Sequence, residues 1–332
     1  MMGVYEKGFS EDNIIGEIDR EVKDMIAEQM TMPGSVAFVN STWVERDQEL
    51  ERIKNFDNVI VYSGPDWENT NCIPLRRNAH QYLQDNNRNV VYIGNSYGPN
   101  YFSYWLYFVY EHLDRFLPDN FDYTLSSNHK TYMCLNRKPH NHRIQLMEKL
   151  FERNLLDEGH TSLGTFDNWQ NKSKFDKLPI VLEVDKDYTL GNEIAGDVGI
   201  PNDILSLGNN DLWCDHFLNV VTETVIHSDV FVSEKTYKPI LGLRPFLILG
   251  DDRIYDVLHD YGIDTFDDIF GIWYKDKNYE NRINSIVDVI FSMSSYGAEK
   301  RNKLFKSLES RLMDNRMKLI EQAQNFEVKL NV

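Results

Sequence analysis

Short apolar runs alternate with amphipathic stretches along most of the chain. Behind Ser10, the residues Ile14, Ile15, Ile18, Val22, Met25 and Ile26 recur at helical spacing, with the serine placed to cap the first turn. SVAFVN (35–40) is short and apolar and predicts a buried strand, followed by a polar helix-like segment from 42 to about 56. NVIVYS (58–63) and NVVYIG (89–94) read as two more strands, separated by a helix-like stretch through His80 and Leu83. Strands alternating with helices predict parallel β-α-β units. The aromatic stretch from about 101 to 116 predicts a further helix, which ends at the turn-rich LPDNFDY, the expected linker.

The pattern then restarts. TYMCLNR (131–137) is strand-like, and an amphipathic helix is expected from 139 to about 156. Residues 166–211 are acidic, polar and glycine-rich around one apolar run, LPIVLEV (178–184), and predict a partly irregular insertion. Strand 217–224, helix 234–243, strand 245–250 and helix 253–261 follow, with Pro239 and Pro245 expected to bracket the helix between them and fix its end. Two helices, about 278–293 and 298–326, close the chain. The expected fold is α/β, with two Rossmann-like domains, 1–125 and 126–332, facing a cleft. Ligands of such folds bind at the carboxyl ends of the parallel strands.

Composition narrows the class. The chain has 332 residues, 42% hydrophobic and 26% charged, which describes a globular protein large enough for two cores. A formal charge of −17 repels polyanions and counts against a general nucleic-acid binder. Cys72, Cys134 and Cys214 form no C-x-x-C pair, and an odd count argues against a disulfide framework. The opening residues are acidic and lack the apolar core of a signal peptide, and YFSYWLYFVY (101–110) is too short to span a bilayer. A cytoplasmic location is expected, in the host cytoplasm if the protein is viral.

Charged residues seldom sit beside buried strands without work to do. FLNVVTET (217–224) runs up to Glu223, and VSEKTYKPILGLRPFLILG (232–250) places Glu234 and Lys235 where a helix begins. A lysine there adds positive charge where the helix dipole already favours anions. Arg143, near another helix start in NRKPHNHR (136–143), offers a fork for a pyrophosphate, and Arg137 lies at a predicted strand end. Thr222, Thr224 and Ser233 supply neutral donors, and Lys238 follows in the same helix. A Glu-Lys pair alone reads as a solvated first turn; the ordered series is what carries more.

That series, from Lys130 through a strand, NRKPHNHR, a helix, TET and SEKTYKPILGLRPFLILG, resembles the donor-binding half of glycosyltransferases with two facing Rossmann-like domains (the GT-B architecture). It is most similar in pattern to the α-1,3-fucosyltransferases and exostosin-like enzymes, and it also resembles uncharacterised phage and giant-virus proteins carrying Ser-Glu-Lys-Thr-x-Lys-Pro. The resemblance covers roughly residues 130 to 250. Val221-Thr222-Glu223-Thr224 replaces the fucosyltransferase Phe-Glu-Asn, so the sugar is not carried over. The resemblance implies a hexosyl- or pentosyltransferase that moves a sugar from a nucleotide-diphosphate donor to an acceptor hydroxyl. Glu234 would then accept hydrogen bonds from ribose, while Lys235, Arg143 and Glu223 hold the rest of the donor. No cofactor and no metal is expected beyond the donor itself. The general base is expected from the N-terminal half, with Asp66 and Glu68 in YSGPDWEN (62–69) as the candidates.

Rival readings remain open at this point. VDKD (184–187) has the form of a metal-binding Asp-x-Asp, although such triplets arise by chance among 52 acidic residues. HNH (140–142) lacks further ligands around it, and neither a Walker loop nor G-x-G-x-x-G occurs. The alternatives are a transferase acting on hydroxymethylated bases in phage DNA and a non-catalytic module that binds nucleotide sugar or glycan. The acidic charge favours a carbohydrate acceptor over DNA.

Overall fold

β-branched and aromatic runs pair into two four-stranded parallel sheets in the computed structural model. The structure describes residues 36–40, 58–62, 85, 89–94, 101–103, 106, 109–110, 113–117, 122–136, 139–163, 207, 210–226 and 230–325. The chain divides into two compact units, residues 1–110 with 322–332, and residues 111–321. The helices expected behind Ser10, from 42 to 56 and through His80 lie outside the described residues, as do Asp66, Glu68, Arg137 and residues 166–206.

In the first unit, β1 (Val36–Asn40), β2 (Asn58–Tyr62), β3 (Asn89–Gly94) and β4 (Tyr101–Ser103) lie side by side in chain order. Their register sets Phe38 beside Ile60 and Ile60 beside Val91, one apolar row across three strands. The expected helix from 101 is corrected at its start: residues 101–103 form a strand in which Tyr101 pairs with Tyr92 in a parallel ladder, while Leu106 is helical. Tyr and Phe favour a pleated surface, and a run aromatic at nearly every position carries no period to separate strand from helix.

The second unit contains α1 (Leu113–Phe116), β5 (Lys130–Asn136), α2 (Asn141–Glu152), β6 (Gly159–Leu163), α3 (Asn210–Cys214), β7 (His216–Thr222), α4 (Glu234–Leu241) and β8 (Phe246–Leu249). Then come α5 (Ile254–Asp260), α6 (Asp267–Phe270), α7 (Tyr279–Ser294) and α8 (Ala298–Gln324). The sheet order is β6-β5-β7-β8, all parallel. Every residue of β7 and β8 is buried, as expected of parallel strands covered on both faces. On α7, Ile283, Ile286, Val287, Ile290 and Met293 form the buried stripe, and the helix packs on α2, β5 and β8. Each such side chain is worth about 1.5–3 kcal/mol of burial.

β6 went unread in the sequence because GHTSL is polar, as an edge strand can be. Its Gly159 is dictated by packing, since a Cβ there would meet the Tyr132 ring at 2.4 Å. Pro239 is a second correction: it does not bound α4 but lies within it. Its missing N–H deprives only the carbonyl four residues back, and the helix continues for another half turn. The helix stops instead at Gly242, followed by Leu243 in the left-handed region (φ 52°) and an Arg244 N–H that donates to the Pro239 carbonyl at 2.9 Å. The end of the segment expected as a linker is tied down, because Arg244 donates to the carbonyls of Tyr123 and Thr124.

Candidate functional site

The second sheet reverses direction at β5. After β5 the chain adds β6 on one side, then crosses to lay β7 and β8 on the other. At such a reversal the connections leave opposite faces and open a crevice at the carboxyl ends of the two strands. Among the described residues, the first sheet has no reversal.

The strand ends at this crevice are locked together by short polar side chains. Asn136, ending β5, accepts from the Thr222 hydroxyl at 2.5 Å, while its N–H donates to the Ser162 hydroxyl at 3.1 Å. Beside them Cys134 is buried, which pushes its thiol up to about 12 and keeps it neutral. The first turn of α2 grips the end of β7. His142 Nε2 lies 2.8 Å from the Glu223 carbonyl, so that nitrogen carries the proton, and Arg143 Nη2 donates to the Thr222 carbonyl at 2.8 Å. Arg143 is buried, which draws its pKa down to about 10, while Glu223 and Glu234 pull it upward. It remains a cation at neutral pH.

Glu223 has no exposed surface. Its Oε1 accepts from the Ser233 N–H at 3.0 Å and the Thr236 hydroxyl at 2.7 Å, and its Oε2 from the Ser233 hydroxyl at 2.7 Å. The Glu223 side chain, one residue past the end of β7, therefore sits on the amino end of α4. Ser233 is the N-cap, accepting from the Lys235 N–H at 3.3 Å.

Glu234 opens α4 with only 5% of its surface exposed. Oε1 is 2.9 Å from Lys235 Nζ, and Oε2 is buried with no hydrogen-bond partner among the described residues. Burial raises the carboxyl's pKa, but Lys235 and Lys238 outweigh it and hold the group below the ordinary carboxylate range. Glu234 is thus an ionised carboxylate with one oxygen unused. Leaving such an oxygen without a donor costs about 1–3 kcal/mol or more. Lys235 keeps 36% of its side chain exposed, so its ammonium reaches both Glu234 and solvent.

The structure brings Arg143, Thr222, Glu223, Ser233, Glu234 and Lys235 together, with Thr224 half-buried just past β7 and Lys238 one turn along α4. Arg143, Thr222 and Glu223 direct at least one group each onto other parts of the protein, whereas Glu234 and Lys235 present theirs at the helix start. Asn136, His142, Ser162 and Thr236 were missed in the sequence. Ser233 and Thr236 stand three apart on one turn, but the carboxylate joining them comes from just past the end of β7, a link that no local spacing contains. Among the described residues, no three His, Cys, Asp or Glu side chains gather as a cation site, and Asp185 lies outside them.

No family model matches the sequence, and no curated protein matches it. Among solved structures, a crystal structure of an alpha1,3-fucosyltransferase aligns over 86% of this chain and 90% of its own, with 13% identity and a TM-score of 0.33.

Proposed function

We propose that the chain is a glycosyltransferase that moves a sugar from a nucleotide-diphosphate donor to a carbohydrate hydroxyl. The observation that supports this reading is the unsatisfied, ionised Glu234 oxygen beside the Lys235 ammonium, at the reversal point of the second sheet. A ribose diol supplies the hydroxyl donors that the carboxylate lacks, and a diphosphate is the anion that the ammonium and the start of α4 attract. The sequence series from Lys130 to Gly250 resembles donor-binding halves of such enzymes and supports the same reading.

In the proposed reaction the acceptor oxygen bonds to the anomeric carbon as the bond to the diphosphate breaks. The acceptor proton passes to a carboxylate, for which Asp66 and Glu68 are proposed. The negative charge developing on the leaving diphosphate is stabilised by Lys235, with Arg143 contributing its field from behind the strand ends. These cationic groups do the work a divalent ion would otherwise do. Transfer is therefore expected to survive EDTA; activity lost in EDTA, restored by manganese and absent in Asp185→Ala would favour the Asp-x-Asp reading instead.

The primary test is thermal stabilisation and calorimetry against nucleoside diphosphates and nucleotide sugars. Glu234→Ala and Lys235→Ala should each weaken the best ligand by tenfold or more, on the order of 1.5–3 kcal/mol for a charge-assisted contact. Replacing ribose by its deoxy form should cost the wild type a similar factor and cost Glu234→Ala almost nothing. Unchanged affinity in both variants would remove the basis of the reading. Donor hydrolysis or transfer separates an enzyme from a module that only binds.

A further inference from the structure

We infer that Glu223 is the positioning residue of this site, acting through α4 rather than by touching a ligand. The inference deepens the donor-site reading and takes its ligand from it. Three observations carry it. Both carboxylate oxygens are already engaged, by three donors that all belong to the first turn of α4 or its cap. The backbone of Glu223 is held from the other side, because His142 bonds its carbonyl and Arg143 bonds that of Thr222. The space around it is closed: at Gly250 a Cβ would meet Ile254 Cδ1 at 2.4 Å and the Glu223 Cβ at 3.4 Å.

The consequence is specific. The amino end of a helix draws an anion through its free N–H groups and the dipole, and that anion can be a ligand or a side chain. Here the protein supplies that anion itself, so α4 begins at a fixed place relative to the end of β7. The next two residues are Glu234 and Lys235. The unsatisfied Glu234 oxygen and the Lys235 ammonium therefore inherit their placement from Glu223, and a ligand phosphate is directed to the lysine side chain rather than onto the helix axis.

The test uses the full chain and two substitutions at one position. Glu223→Ala removes every acceptor. Glu223→Gln retains an oxygen for the Ser233 N–H and the Thr236 hydroxyl, and its amide can donate to the Ser233 oxygen, so it serves as the conservative rescue. The first readout is amide hydrogen exchange over residues 234–238. The second is the affinity ratio between the ribose and dideoxyribose forms of whichever of ADP, GDP, UDP and CDP stabilises the wild type most. In Glu223→Ala, exchange in the first turn of α4 should quicken by about tenfold or more while α7 is unchanged, and the ratio should collapse towards one. Glu223→Gln should keep both near wild type. Should Glu223→Ala not fold, Ser233→Ala, which removes one of the two side-chain hydroxyls bonded to Glu223, must show the same pattern in weaker form.

A merely structural role would lower both affinities together and leave the ratio intact, and that result overturns the inference. Unchanged exchange in the first turn of α4 also overturns it. A wild type that binds neither form of any of the four nucleotides sinks the donor reading alone, and exchange then decides the positioning claim by itself.

Discussion

Arg244 has no exposed surface and, among the described residues, no carboxylate hydrogen-bonded to it. Its guanidinium donates instead to the carbonyls of His216, Tyr123 and Leu243 at 3.0 Å each and to that of Trp213, and it lies 5.0 Å from the centre of the Phe305 ring. Burial draws its pKa down to about 10, which still leaves it charged. Arg244→Met should lower stability by more than about 3 kcal/mol, because several buried carbonyls lose their donor at once. Arg244→Lys should recover little of it, since one ammonium cannot span the fork's positions; denaturant midpoints measure both. Neighbouring His216 is fully buried, and burial followed by the Arg244 charge holds its pKa well below the ordinary range. Its Nδ1 donates to the Leu212 carbonyl at 2.6 Å and its Nε2 faces the Asn219 amide nitrogen at 3.4 Å, an accepting role that only the neutral ring can play. The unfolded ring takes up a proton near its ordinary value of about 6.5, which the folded one resists. Its contribution to stability is therefore complete above that value and declines as the pH falls. His129, depressed by burial, acts in the same direction. The melting temperature should drop between pH 7 and pH 5, and the drop should be shallower in His216→Gln.

α4 shows how far an element can be read in advance. Its start was legible from Ser233, Glu234 and Lys235, because a cap and an acidic first turn are local signals. Its end was not, because the Pro239 rule assumes the lost N–H matters, and here only one carbonyl goes unserved. The residue at the stop, Gly242, is required for a reason no local pattern contains: a Cβ there would meet the Trp213 ring at 2.3 Å. Gly242→Ala should therefore destabilise by about 1–3 kcal/mol through overpacking, and pairing it with Trp213→Phe should recover part of that loss in chemical denaturation. Fully buried β7 and β8 were legible as short strand-like runs, β8 wholly apolar and β7 nearly so, whereas polar β6 and aromatic β4 were not. The site was legible as a set of residues but not as a set of bonds. Arg143 meets Thr222 across 79 positions and His142 meets Glu223 across 81, and no spacing rule reaches that far.

The whole chain carries a formal charge of −17, and this bears on the acceptor. Binding duplex DNA requires a track of cations to displace condensed counterions. Transfer assays offering duplex DNA with hydroxymethylated pyrimidines, beside simple glycans, should show product on the glycans. Salt-sensitive transfer confined to the DNA would reverse that choice. The two sheets also differ in when they can be assembled. In the first, each strand lies next to the one made just before it, so the sheet can extend as the chain leaves the ribosome. In the second, β5 has β6 beside it early, but its other edge waits for β7, whose first residue, His216, pairs with Lys130. Until then an apolar parallel edge stands open, the kind of surface that recruits strands from other chains. Synthesis paused between β6 and β7 is therefore expected to prolong the exposure of that edge, and pausing there in a cell-free translation should raise aggregation of the nascent chain.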